Sequence, residues 1–155
     1  MGRKRHAAEE PQDRVGNLLA GARAGGALAA PARRELVEDL GENDRSATGF
    51  LPPAEFERVA DQFFGSPDKS IRGWERAVDA QSRIVRAVEE IGAKDKTTGA
   101  IAIVAHGAVG TLLYCHLAGE PIARRWDQPP NGGGNFYPFT LAPRAVHSWW
   151  RAIDT

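Results

Sequence analysis

The run Ala100–Gly110 (AIAIVAHGAVG) constrains the fold more than any other stretch of the chain. Apolar, largely β-branched residues stop at His106, small residues follow, and Thr111–Leu117 reads as a helix. A run that is apolar at every position suits a strand buried on both faces. The residue at the carboxyl end of such a strand stands where open α/β sheets place their ligand crevices. Gly107 lets a ligand approach the backbone, and the free N–H groups of the next helix favour an anion. His106 is therefore the leading candidate site residue. The competing reading is a histidine that closes a strand and bonds a nearby carbonyl.

The rest of the chain supplies partners for that unit. Glu35–Glu38 has the composition of a short strand, followed by the loop Asp39–Ser46. Pro52 and Pro53 open a helix on which Phe56, Val59, Ala60, Phe63 and Phe64 fall at helical spacing. Gly65–Asp68 breaks it, and a longer helix is expected from about Ile71 to Ile91, with Trp74, Ala77, Val78, Gln81, Ile84, Val85, Val88 and Ile91 on one face. Gly119-Glu120-Pro121 ends the helix after His106, and Asp127–Asn135 is an irregular loop. Phe136–Leu141 and Ala145–Trp150 have strand composition, with Pro138 putting the first at an edge or a bulge, or shortening it. Strands alternating with helices argue for a layered α/β fold rather than a bundle or a β-sandwich.

Residues 1–33 differ in character. Alanine and glycine dominate, burying little area, so this segment is expected to be weakly ordered, and residues 34–155 to form the domain. The basic triplet Arg3-Lys4-Arg5 faintly imitates a secretory leader, but Glu9, Glu10 and Asp13 interrupt it. Twenty acidic and twenty basic residues balance, so no global field advertises nucleic acid or an anionic membrane. No apolar run is long enough to span a bilayer. The single cysteine, Cys115, excludes an internal disulfide and suits a reducing, cytoplasmic compartment.

Several chemistries lack their residues. There is no Gly-x-Ser-x-Gly nucleophile elbow, no Walker lysine after Gly107–Gly110, and no dinucleotide fingerprint. No histidine pair has zinc spacing, and His116 and His147 read as structural residues of a helix and a strand. Neither a metal nor a cofactor is expected.

Three features taken together resemble the histidine phosphatase superfamily, with its phosphoglycerate mutase-like fold. They are His106 in Val-Ala-His-Gly, the upstream turn Leu40-Gly41-Glu42, and Gly132-Gly133-Gly134-Asn135 before an aromatic strand. The similarity runs from about Val37 to the carboxyl terminus. It implies a three-layer α/β/α sandwich, incomplete at the amino terminus. It also implies phosphomonoester hydrolysis, or phosphoryl transfer, through a phosphohistidine, on a small phosphorylated substrate. By resemblance, His106 matches the second, phosphate-binding histidine, Gly107 a neighbouring backbone contact, and Glu42 the proton donor to the leaving group. Arg45 could bind substrate phosphate, or instead pair with one of the nearby acids Glu38, Asp39, Glu42 and Asp44. Glu42 could likewise be a solvent-facing member of that acidic cluster.

One departure from the family bears on activity. Its nucleophile lies in Arg-His-Gly at the end of a central strand, whereas here Arg5-His6 is followed by Ala7, with no apolar strand before it. The expectation is a chain with impaired catalysis, His6 lying away from His106, and self-association through an exposed sheet edge. A non-catalytic anion-binding relative, or a truncated fragment, is the alternative.

Overall fold

Three helices and a short twisted sheet share one core in the computed structural model, which describes residues 17–21 and 34–154. Strand β1 (Asn17–Gly21) precedes helices α1 (Pro53–Gly65) and α2 (Ala77–Lys94), then strand β2 (Ile101–Ala105) and helix α3 (Gly107–Ala118). Strands β3 (Asn135–Phe136), β4 (Pro138–Leu141), β5 (Arg144–Val146) and β6 (Arg151–Ala152) complete the described chain. The main sheet has the order β2-β1-β4-β5. β1 runs antiparallel to β2, with Leu19 opposite Ile103, and parallel to β4, while β4 and β5 are antiparallel. β3 and β6 form a separate antiparallel pair.

Each helix follows from local residue chemistry. Pro53 opens α1 with its φ already set for a helix, and the Phe56 N–H donates to the Pro52 carbonyl. α1 buries Val59, Ala60, Phe63 and Phe64. α2 buries Ala77, Ala80, Ile84, Ala87 and Val88 on one stripe, and its alanines let α3 approach closely. The Gln81 side chain crosses that contact, donating to the Leu112 carbonyl at 2.8 Å. α3 is buried on almost every side, from Val109 to Cys115 and at Leu117, and Gly119 ends it in the left-handed conformation.

The sequence expectations hold for α1, β2 and α3, and need correction elsewhere. Glu35–Val37 is not a strand, and Glu38–Leu40 forms a single 3₁₀ turn. α2 starts at Ala77, not near Ile71, because Arg72 (φ 51°) and Gly73 (φ 83°) adopt left-handed backbone that no α-helix accommodates. A Cβ on Gly73 would also sit 2.7 Å from that of Ala47. Trp74 is buried as expected, but from this loop rather than from a helix. β5 stops at Val146, short of the strand expected to reach Trp150.

The largest correction concerns β2. It lies at the edge of the sheet among the described residues, and only Ile103 and Ala105 of its side chains are buried. Ala102 and Val104 face outward, Val104 being 59% exposed, so the strand is buried on one face. An apolar run reads alike whether one face or two are covered, since Ala and Val are tolerated on either. A helical layer on the outer face is not found among the described residues. Within the segment expected to be weakly ordered, Asn17–Gly21 forms a strand. The remainder of that expectation, and the placement of His6, lie outside the described residues.

Candidate functional site

His106 occupies the position between β2 and α3 in extended backbone (φ −79°, ψ 162°). Its carbonyl accepts the first helical hydrogen bond, from the Gly110 N–H at 2.9 Å. The amides of Gly107, Ala108 and Val109 precede that bond, so the helix supplies them no acceptor. The imidazole is half-buried and makes no capping bond to its own helix. A half-buried histidine therefore stands beside the positive end of a core helix. That arrangement can hold an anion.

Glu42 and Arg45 lie on the loop after the 3₁₀ turn, and the structure brings them together. Arg45 Nη2 is 4.0 Å from Glu42 Oε2, with side-chain exposures of 20% and 16%. Glu42 Oε1 also accepts the Asn43 N–H at 3.0 Å. The Arg45 guanidinium lies over the rings of Phe56 and Trp74, at 5.1 and 5.6 Å from their centroids. Both readings of Arg45 stay compatible with this: it pairs with an acid, and it carries positive charge next to Glu42. No hydrogen bond or ion pair joins Glu42 to His106 among the described residues.

Sequence reasoning missed the residues that hold these groups. Arg83 of α2 reaches back to the Glu42 loop, and Glu75 pairs with it. Asn43, 4% exposed, keeps its Nδ2 without a hydrogen-bond partner among the described residues, an uncommon state for a buried donor. Below the start of α3, Thr111 donates to Asp127 at 2.9 Å, and the Tyr137 hydroxyl donates to the Gly110 carbonyl at 2.8 Å. Asn135 is fully buried, exchanges hydrogen bonds with Asn131 and donates one to the Gln128 side-chain oxygen. Only the Gly132–Asn135 motif hinted at this last cluster, because its partners come from a loop with no periodic signal.

Two shallow cavities lie elsewhere, around His116: one of about 70 Å³ between α2, α3, β4 and β5, and one of about 260 Å³ between α2 and α3. Arg144 Nη1 is 3.3 Å from His116 Nε2, and since a guanidinium only donates, Nε2 carries the lone pair. Burial, then the Arg144 charge, lowers the His116 pKa, against a smaller opposing pull from Glu89. The native state thus resists a proton that the unfolded chain accepts near pH 6.5. Stability is full above that pH and falls as the pH drops from there through the lowered native pKa. Urea midpoints measured between pH 7.5 and about 5 should decline less in His116→Gln than in the wild type. Parallel declines would remove His116 from the pH response.

The strand–histidine–glycine–helix unit and the Leu40-Gly41-Glu42 turn both lie within residues 22–136, the region matched by the family model of the histidine phosphatase superfamily (branch 1). The chain belongs to the histidine phosphatase superfamily. No curated protein matches the chain. Membership agrees with the α/β character of the described fold and with the resemblance carried by His106, Glu42 and Asn135. No helix among the described residues is long and apolar enough to cross a membrane.

Proposed function

We propose that this histidine phosphatase superfamily member hydrolyses small phosphomonoesters, or passes their phosphoryl group to another acceptor, by way of a phosphohistidine. The observation that carries the reading is His106, at the carboxyl end of β2 beside the first amides of α3, within the matched region. Phosphoryl transfer spreads negative charge over three equatorial oxygens, so catalysis consists of positioning and positive charge around them. In this reading His106 and the amides from Gly107 onward contact those oxygens, and Arg45 adds charge from the Glu42 loop.

The reaction has two steps. A histidine nitrogen attacks phosphorus in line, the phosphorus–oxygen ester bond breaks, and Glu42 gives its proton to the departing oxygen. Water then attacks the phosphohistidine, the ionised Glu42 takes a proton from that water, and the nitrogen–phosphorus bond breaks to release phosphate. The chain contains no Arg-His-Gly, and Ala7 follows its one Arg-His pair. Orienting a nucleophile in line is worth about 7–11 kcal/mol of barrier in well-built systems. The reading is accordingly one of impaired turnover.

The same reading takes residues 34–155, joined by strand β1 (Asn17–Gly21) in the middle of the sheet, as the domain and the sheet as one layer of an α/β/α sandwich, supported by the apolar outward residues Ala102 and Val104. The edge position of β2 supports self-association of copies through that strand. A single, buried Cys115 supports a cytoplasmic setting.

Incubation with a ³²P-labelled phosphomonoester, quenched in acid or in base, tests the proposal. Slow phosphate release with protein-bound label that survives base and is lost in acid is the expected result. Vanadate binding without label or release would identify a non-catalytic anion-binding relative. Absence of both turnover and vanadate binding would overturn the phosphate-site reading.

A further inference from the structure

We propose that Arg83, with Glu75 as its counter-ion, is a positioning residue that holds the turn carrying Glu42; this rests on the reading of Glu42 as the proton donor. The turn has little structure of its own. Its local restraints are two 3₁₀ bonds, from the Leu40 N–H to the Val37 carbonyl and from the Gly41 N–H to the Glu38 carbonyl. Arg83 comes from the second turn of α2, more than forty residues along the chain, and ties the carbonyls of that turn to the helix.

The guanidinium makes two sets of bonds at once. Nη1 donates to the carbonyls of Asp39 (2.7 Å) and Gly41 (3.1 Å), and Nη2 to that of Glu42 itself (3.3 Å). On its other edge, Nε and Nη2 donate to the two Glu75 carboxylate oxygens at 3.0 and 2.9 Å. Glu75 closes the ring of contacts: its Oε2 accepts the Asp44 N–H at 3.1 Å, and its own N–H donates to the Asp44 carbonyl at 2.9 Å. The main chain on both sides of Glu42 is thereby tied to α2 and to the loop before it.

Geometry separates this role from a generic ion pair. The bonds end on the backbone of the acid-bearing residue and its neighbours, where a shift of the turn moves the Glu42 carboxyl directly. A planar fork with five donors can satisfy a carboxylate and three carbonyls together, whereas a lysine ammonium cannot span both sets. Arg83 and Glu75 side chains are both mostly shielded from water, so the pair holds one geometry rather than exchanging with solvent.

The test compares the full chain with Arg83→Met, Arg83→Lys, Glu75→Gln and Glu42→Gln. Amide hydrogen exchange at Leu40, Gly41, Asn43 and Asp44 should quicken at least about tenfold in Arg83→Met, while α3 amides stay as in the wild type. Steady-state kinetics use an alkyl phosphate, whose leaving oxygen needs the proton, and p-nitrophenyl phosphate, whose leaving group needs it far less. Glu42→Gln should lower kcat on the alkyl ester about 100-fold. Arg83→Met should lower it about tenfold with KM within about twofold, spare the aryl ester, and be partly restored in Arg83→Lys. Should Arg83→Met fail to fold, Glu75→Gln supplies the same comparison. Unchanged exchange at the turn would overturn the proposal. Faster exchange with unaltered preference between the esters, while Glu42→Gln alters it, would overturn it too. If Glu42→Gln itself changes nothing, the proton-donor reading fails and the positioning role falls with it, though the exchange data still report the restraint.

Discussion

Replacing His106 by alanine is expected to lower phosphomonoester turnover about 100- to 1,000-fold, the usual cost of deleting one donor to a developing oxyanion. Vanadate binding should weaken in parallel, since its trigonal-bipyramidal adducts present oxygens like those of the transferring phosphoryl group. The fold should survive. The imidazole is only half-buried, makes no cap to α3, and its main-chain carbonyl, which starts the helix, is untouched by the substitution. Isothermal titration with vanadate and a urea melt on the same sample separate the two effects. His106→Asn, which keeps a donor of similar reach, should recover part of the binding. Vanadate affinity equal to the wild type in His106→Ala would remove His106 from the site and leave it as the end of a strand.

The parts of this chain that could be read from sequence are those encoded within a few residues. At His106 one residue separates an apolar strand from a helix that opens on small residues, so the change of periodicity itself marks a site. Pro52-Pro53 and the phenylalanine spacing located α1 for the same reason. Left-handed backbone at Arg72 carries no such signal, because arginine has no preference for it, and Trp74 falls by coincidence at helical spacing from Val78. β1 was missed because Asn17–Gly21 is short and poor in β-branched residues, and its pairing with β2 spans more than eighty residues. Arg83 was unreadable for a similar reason. Its partners at Asp39, Gly41 and Glu42 are backbone carbonyls, which any residue types at those positions would present. Long-range bonds to the main chain leave almost no trace in side-chain identity.

Trp74→Ala should be strongly destabilising, costing about 3–5 kcal/mol, the range for truncating a buried large aromatic. Trp74 is 3% exposed and packs its ring against Phe56 and Phe63, with centroids 5.8 and 6.1 Å away. Its Nε1–H donates to the Thr48 hydroxyl at 2.8 Å, joining the loop after Arg45 to the loop before α2. One side of the Arg45 guanidinium's surroundings is this same ring. Against a total stability of about 5–15 kcal/mol for a domain of ordinary size, such a loss removes a large share of the folded state's margin. Trp74→Phe retains most of the apolar area and gives up the indole N–H, so its cost should be nearer 1–2 kcal/mol, roughly a hydrogen bond plus an imperfect fit. Urea unfolding followed by circular dichroism reads both as midpoint shifts at constant slope. The two variants should also part in function: Trp74→Phe keeps a ring beside Arg45, and its vanadate affinity should stay near the wild type. Trp74→Ala should weaken that affinity even in the temperature range where it remains folded, because Arg45 then loses one of the two aromatic rings it lies over. A cost below about 1 kcal/mol for Trp74→Ala would mean that the α1 aromatics close over the gap and that the loop before α2 contributes little to the core.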